Sequence, residues 1–125
     1  MKTPEHLIEQ AFVFRLAAEQ SIDPDDELTQ DMQLTLIKEE FDELMEAHIN
    51  EDVDADRVHT LKELADLVFV CYQYALARGW NLDTAMARIF ESNMSKFVDG
   101  KPLRRDDGKI LKGPNYQPPF LTDLL

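Results

Sequence analysis

Apolar positions recur at helical spacing through most of this chain, and short polar breaks divide the pattern into four segments. Residues 4–20 carry Leu7, Ile8, Ala11, Phe12 and Leu16 as one stripe, with Thr3 placed to cap the helix and Pro4 suited to its first turn. Ser21 to Gln30, with Pro24 and the acids Asp25-Asp26-Glu27, predicts a loop, and Thr29 or Asp31 would cap the next helix. This second helix is expected from about Thr29 to Ile49, with Leu34, Ile37, Phe41, Leu44 and His48 as its core stripe. An acidic loop is expected over residues 50–56, reversing the chain near residue 53. A third helix should run from about Ala55 to Arg78, capped by Asp54 or Asp56 and closed by Gly79. Beyond Asp66 it is apolar nearly all round, as in a helix covered on several sides. Asn81 or Asp83 opens a fourth, with Leu82, Ala85, Met86, Ile89, Phe90 and Phe97 on its apolar face. Residues 98–125 are rich in Gly and Pro and predict loops and turns. The expected fold is all-α: a four-helix bundle over about residues 4–97, with an irregular C-terminal tail, in one domain spanning 1–125.

The charges inside this pattern carry the chemistry. Glu40 and Glu43 on the second helix, and Glu63 and Asp66 on the third, are each spaced i,i+3 and so share one helix face. A reversal near residue 53 sets Glu40 level with Asp66 and Glu43 level with Glu63. Glu40 and Glu43 share their row with Leu36 and Ala47, and the row of Glu63 and Asp66 continues into Val70. Carboxylates on such rows are at least partly buried and need a partner. Lys38 is the one Lys or Arg on the second helix, so an internal salt bridge explains that pair poorly. For Glu63 and Asp66, an ion pair with Lys62, Arg57 or a distant Arg competes with metal. The matching acidic pair on the facing helix favours metal, and oxygen ligands without Cys or His suit Mg²⁺, with Mn²⁺ as a substitute. His59, one turn from Glu63, is equally suited to supporting that site or to the surface. A Glu-rich solvated face is the plain alternative. The acidic loop lacks the Gly and closing Glu of a calcium-binding EF-hand.

Composition narrows the function further. A net charge of −12 over 125 residues argues against a nucleic-acid scaffold or a membrane-surface protein. The single Cys71 permits no internal disulfide, which fits a reducing, cytoplasmic setting, and no apolar run has the length of a membrane span. Residues 96–112 reverse the balance, with six Lys or Arg against three Asp, a net of +3. An acidic metal cluster together with a basic segment suits a polyphosphate, with metal on some oxygens and Lys or Arg on the others.

The motif Glu40-x-x-Glu43, nineteen residues (44–62), then Glu63-x-x-Asp66, resembles the all-α nucleoside triphosphate pyrophosphohydrolases. That superfamily includes MazG-like proteins, phosphoribosyl-ATP pyrophosphohydrolases and dimeric dUTPases. The tail Ser92-Asn93-Met94-Ser95-Lys96, with Arg104-Arg105-Asp106-Asp107-Gly108-Lys109 and Lys112-Gly113-Pro114, resembles the small MazG-like branch with dUTP-cleaving members. The resemblance covers about residues 29–119. It implies that Glu40, Glu43, Glu63 and Asp66 bind Mg²⁺, with Glu39 a further ligand or water-orienting base and Glu39 and Glu40 the catalytic pair. It implies substrate contacts at Asn93 and Lys96, and the basic residues Arg104, Arg105 and Lys109 extend that set. Many MazG proteins space the Asn and Lys more tightly than here. The implied reaction splits a nucleoside triphosphate, such as dUTP or a non-standard nucleotide, into monophosphate and pyrophosphate. Phosphoribosyl-ATP hydrolysis is the nearest enzymatic rival. A non-catalytic acidic adaptor is the rival from another class, and a di-iron bundle fails for want of two Glu-x-x-His pairs. The resemblance also implies a homodimer or homotetramer, and the all-round apolar third helix points the same way.

Overall fold

The computed structural model describes residues 2–54 and 56–125, with side chains at 52–54 left aside. Its internal contacts separate two compact units, residues 1–80 and 81–125. The described residues are mostly helical, with four α-helices and one small two-stranded sheet among them, and no described helix is long and apolar enough to cross a membrane.

The first unit holds α1 (Leu7–Ala17), α2 (Glu27–Asp54) and α3 (Arg57–Ala77). α1 is shorter than the sequence suggests. His6 occupies its cap position without a capping hydrogen bond, so neither Thr3 nor Pro4 starts it. Pro4 instead lies upstream, its carbonyl accepting from Gln10 Nε2 at 2.8 Å. α2 starts earlier than Thr29, because Asp26 supplies the cap: its carboxylate accepts from the Thr29 N–H at 3.1 Å and from the Thr29 hydroxyl at 2.8 Å. These bonds hold the Asp26 carboxyl below its ordinary pKa. The expected loop at 50–56 is mostly helix, since acidic residues without Gly or Pro do not by themselves end one. Glu51 there accepts from the Thr60 hydroxyl at 2.8 Å. Ala55, expected to open the third helix, lies outside the described residues. Asp56 caps α3 through the His59 N–H at 3.0 Å. Gly79, at φ 76°, closes α3 as expected, with the Trp80 N–H returning to the Ala75 carbonyl at 2.9 Å.

Both α1 and α2 pack on α3. Several residues expected in the core are not there. Leu7, Phe12 and Leu16 of α1 remain exposed, as do Leu34, Phe41 and His48 of α2. The buried face of α1 is Ala11 and Arg15, one turn apart. Arg15 is fully enclosed and donates to the Ser21 carbonyl at 2.7 Å, to Gln20 Oε1 at 3.2 Å and to Gln73 Oε1 at 3.3 Å. Gln73 in turn donates to the Ala11 carbonyl at 2.9 Å. Burial lowers the Arg15 pKa, opposed by the nearby Asp26 carboxylate. Gln30 ties the first turn of α2 to the last of α3, donating to the carbonyls of Pro24 at 2.6 Å and Ala77 at 3.3 Å.

The second unit holds α4 (Leu82–Met94), capped by Asn81 through the Thr84 N–H at 3.1 Å. Of its expected apolar face, Met86 and Phe90 remain exposed. The tail is more ordered than a run of loops. β1 (Leu103–Arg104) and β2 (Ile110–Leu111) pair antiparallel around a turn at Asp107-Gly108, where Gly108 adopts φ 90°. The last segment straps along α4: Ser92 Oγ donates to the Gln117 carbonyl at 2.8 Å, and Arg88 donates to the Phe120 carbonyl at 2.9 Å and pairs with Asp123. Gly113 packs so tightly that an added Cβ would lie 2.6 Å from the Lys96 carbonyl oxygen.

The Arg15 network predicts an unusual sensitivity in α1. Arg15→Met should destabilise the fold by about 2–4 kcal/mol, because it strands the Gln73 and Ser21 acceptors. Urea unfolding measures this; a loss under about 0.5 kcal/mol would show that the network is dispensable.

Candidate metal centre

α2 and α3 run antiparallel, since Gln30 meets Ala77 at one end and Glu51 meets Thr60 near the other. That arrangement brings the two acidic motifs face to face. One carboxylate oxygen each from Glu40, Glu43 and Glu63 lies within 4.8 Å of the others. Glu63 is only 4% exposed, Glu40 is half-buried and Glu43 is at the surface. Glu40 Oε2 and Glu63 Oε2 are both buried without a hydrogen-bond partner among the described residues. Buried carboxylate oxygens are strongly disfavoured in that state, and three acids at this separation repel one another. The Glu43 carboxyl shows the strain: its pKa is raised, first by hydrogen bonding to Glu63 and next by the Glu40 charge. The donor set is all oxygen, and with two unsatisfied oxygens it fits a hard divalent cation.

Asp66 and Glu39 stand apart from this tight set. Asp66 Oδ2 lies 2.7 Å from Lys62 Nζ, the ion pair that competes with metal on sequence grounds. Lys62 also lies 3.4 Å from Glu63 Oε1, and these contacts raise its pKa, Asp66 foremost. His59 Nδ1 sits 3.6 Å from the same Glu63 oxygen. Glu39 is exposed on α2. A cleft of about 330 Å³, lined by Glu43, Glu46, Ala47, Asn50, His59 and Glu63, opens beside the three acids.

The remaining candidates belong to the second unit. Asn93 is exposed near the end of α4, and Lys96 follows that helix half-buried. Arg105 is engaged by Asp107, its Nε 2.9 Å from Oδ1, and Arg104 donates to the Gly108 carbonyl at 3.1 Å. Lys96 and Lys109 make no ion pair among the described residues.

Residues 9–93 match the sequence pattern of the phosphoribosyl-ATP pyrophosphohydrolase family. The chain belongs to that family. The match covers both acidic motifs, α2 and α3, and makes this phosphoribosyl-ATP pyrophosphohydrolase relative a member of a family of acid-anhydride hydrolases. It ends at Asn93, so the basic candidates from Lys96 onward lie beyond it. No curated protein matches the chain. Sequence reasoning overlooked Gln33, which is 3% exposed with Oε1 unpartnered among the described residues. Its signal was positional: Gln33, Glu40 and Ala47 recur every seven residues along one face of α2.

The raised Glu43 pKa has a definite pH signature. Folding favours its protonated form, so this contribution is complete below the ordinary Glu pKa and is lost as pH rises through the raised value. Metal-free protein in chelator should therefore lose thermal stability as pH rises above the ordinary Glu value of 4.5, and Glu43→Gln should flatten the loss. An identical pH slope in the variant would show that Glu43 ionises without hindrance.

Proposed function

We propose that this protein hydrolyses a nucleoside triphosphate between its α- and β-phosphates, releasing monophosphate and pyrophosphate. The observation that carries this reading is the trio Glu40, Glu43 and Glu63 with its unpartnered buried oxygens, in a chain of pyrophosphohydrolase family. Glu40, Glu43 and Glu63 would hold the cation, Mg²⁺ or Mn²⁺, with Asp66 and Glu39 as further ligands. Such a cation, once bound, supplies Lewis acidity and lowers the pKa of a water. Glu39, exposed on α2, or Glu40 takes the proton from the attacking water. The new bond forms at the α-phosphorus, and the α–β anhydride bond breaks. Asn93, Lys96, Arg104, Arg105 and Lys109 are assigned to the substrate on chemical type and the resemblance. Lys96 and Lys109 suit phosphate best, because the two arginines already have partners within the hairpin.

Phosphoribosyl-ATP is the second reading, favoured by the family match itself. Its hydrolysis breaks the same type of bond, so the carboxylate roles carry over unchanged. A pyrophosphate-release assay across canonical and damaged nucleotides, dUTP and phosphoribosyl-ATP separates the two readings. Release from none of them would favour the non-catalytic adaptor.

We also assign a self-associated state to this enzyme. Leu61, Leu64 and Val68 of α3 are exposed beside Leu7 of α1, along an apolar groove of about 410 Å³. A second copy is the simplest cover for such a face.

Three outcomes are expected. In ¹⁸O-labelled water the label should enter the monophosphate; label in pyrophosphate, or orthophosphate as first product, would refute α–β cleavage. Glu40→Gln and Asp66→Asn should each lower turnover at least about 100-fold while keeping the helical circular-dichroism signal. Light scattering at micromolar concentration should give a dimer or tetramer mass, and Leu64→Glu should lower it; a fully active monomer would exclude the assembly.

A further inference from the structure

The carboxylate centre contains a cation of its own. Asp66, paired with Glu63 by sequence spacing, lies outside the tight trio, and its Oδ2 is 2.7 Å from Lys62 Nζ. The same ammonium reaches Glu63 Oε1 at 3.4 Å. Glu63 is thus divided. Oε1 faces the cations Lys62 and, when protonated, His59, while Oε2 is buried without a partner among the described residues.

We propose that Lys62 is a tethered counter-ion, which a divalent cation displaces from Glu63 and Asp66 as it binds. This rests on the metal-centre reading under Proposed function. The Lys62 side chain is 63% exposed, so it can swing into water on its flexible stem without disturbing the packing of α3. It carries one charge against at least four nearby carboxylates, so it relieves their repulsion only in part. A divalent ion brings twice the charge at shorter range to oxygens that Lys62 does not satisfy. The contact with Asp66 also decides which acids are free: while it persists, the centre offers three carboxylates, and when it breaks, the fourth is released. Binding and the Lys62 contact therefore oppose each other, and by linkage each weakens the other by the same factor.

The test uses full-length protein, with Mn²⁺ alone as the probe, read by calorimetry and by the electron spin resonance signal of free Mn²⁺. Lys62→Met removes the charge while keeping a linear side chain, and Lys62→Arg keeps the charge. Lys62→Met should bind Mn²⁺ about two- to fivefold more tightly than the wild type, the scale expected for an exposed ion pair. In chelator its melting temperature should fall, since the acids lose their internal cation. Lys62→Arg should stay near the wild type in both measurements. Equal or weaker Mn²⁺ binding by Lys62→Met, or an unchanged or higher metal-free melting temperature, would overturn the proposal and leave the metal centre standing. Absence of Mn²⁺ binding in wild type and variants alike would overturn the metal centre and this proposal together.

Discussion

Repulsion between like charges is the constraint on which the rest of this structure depends. Glu40, Glu43 and Glu63 project from two helices that cannot move apart freely. α3 is fixed at its start by the Asp56 cap and at its end by Gly79, and Gln30 latches the beginning of α2 onto its final turn. The carboxylates therefore sit at separations that their charges alone would not choose. A preorganised, strained set of this kind gains more from a cation than a flexible one, because the ordering cost is met by folding. Lys62 softens the repulsion from the solvent side, yet it does not reach the buried oxygens.

The interior that holds these helices is unusually polar. Arg15, Gln30, Gln33, Glu63 and Gln73 are all buried, beside small apolar residues such as Ala11, Ala47, Ala75 and Ala77. Small side chains let helices approach closely, and amides and a guanidinium then supply directional bonds where bulky packing is thin. The larger apolar residues take the opposite faces: Leu7, Leu61, Leu64 and Val68 remain uncovered. The same division explains the polar seam inside one chain and the apolar surface assigned to a second copy.

The second unit obeys a different logic. Its tail is held by serine hydroxyls, an arginine and close backbone approach along α4. Gly113 matters because no Cβ fits beside the Lys96 carbonyl. This contact keeps the segment containing Lys112 beside the end of α4, close in the backbone to Lys96. Arg104 and Arg105 are engaged within the hairpin and Lys112 lies over the Tyr116 ring, whereas Lys96 and Lys109 make no ion pair among the described residues.

Four helices, the Gly79 stop and the two facing acidic motifs were legible in the sequence, and the caps of α3 and α4 were narrowed to Asp54 or Asp56 and to Asn81 or Asp83. Each depends on local spacing or on one residue's backbone preference. The Asp107-Gly108 turn carried the same kind of local signal, though the hairpin it closes was not anticipated. The features that remained hidden depend on which face meets a neighbour. A stripe such as Leu7, Phe12 and Leu16 says that a face is apolar, but not whether its own chain covers it. An isolated Arg15 or Gln73 in an apolar run has no partner until α1 lies against α3. In the acidic centre, the i,i+3 spacing put four carboxylates on facing rows. Only the tertiary structure decided that three converge while Asp66 turns to Lys62, because an ammonium four residues away on the same helix competes with contacts across the helix pair.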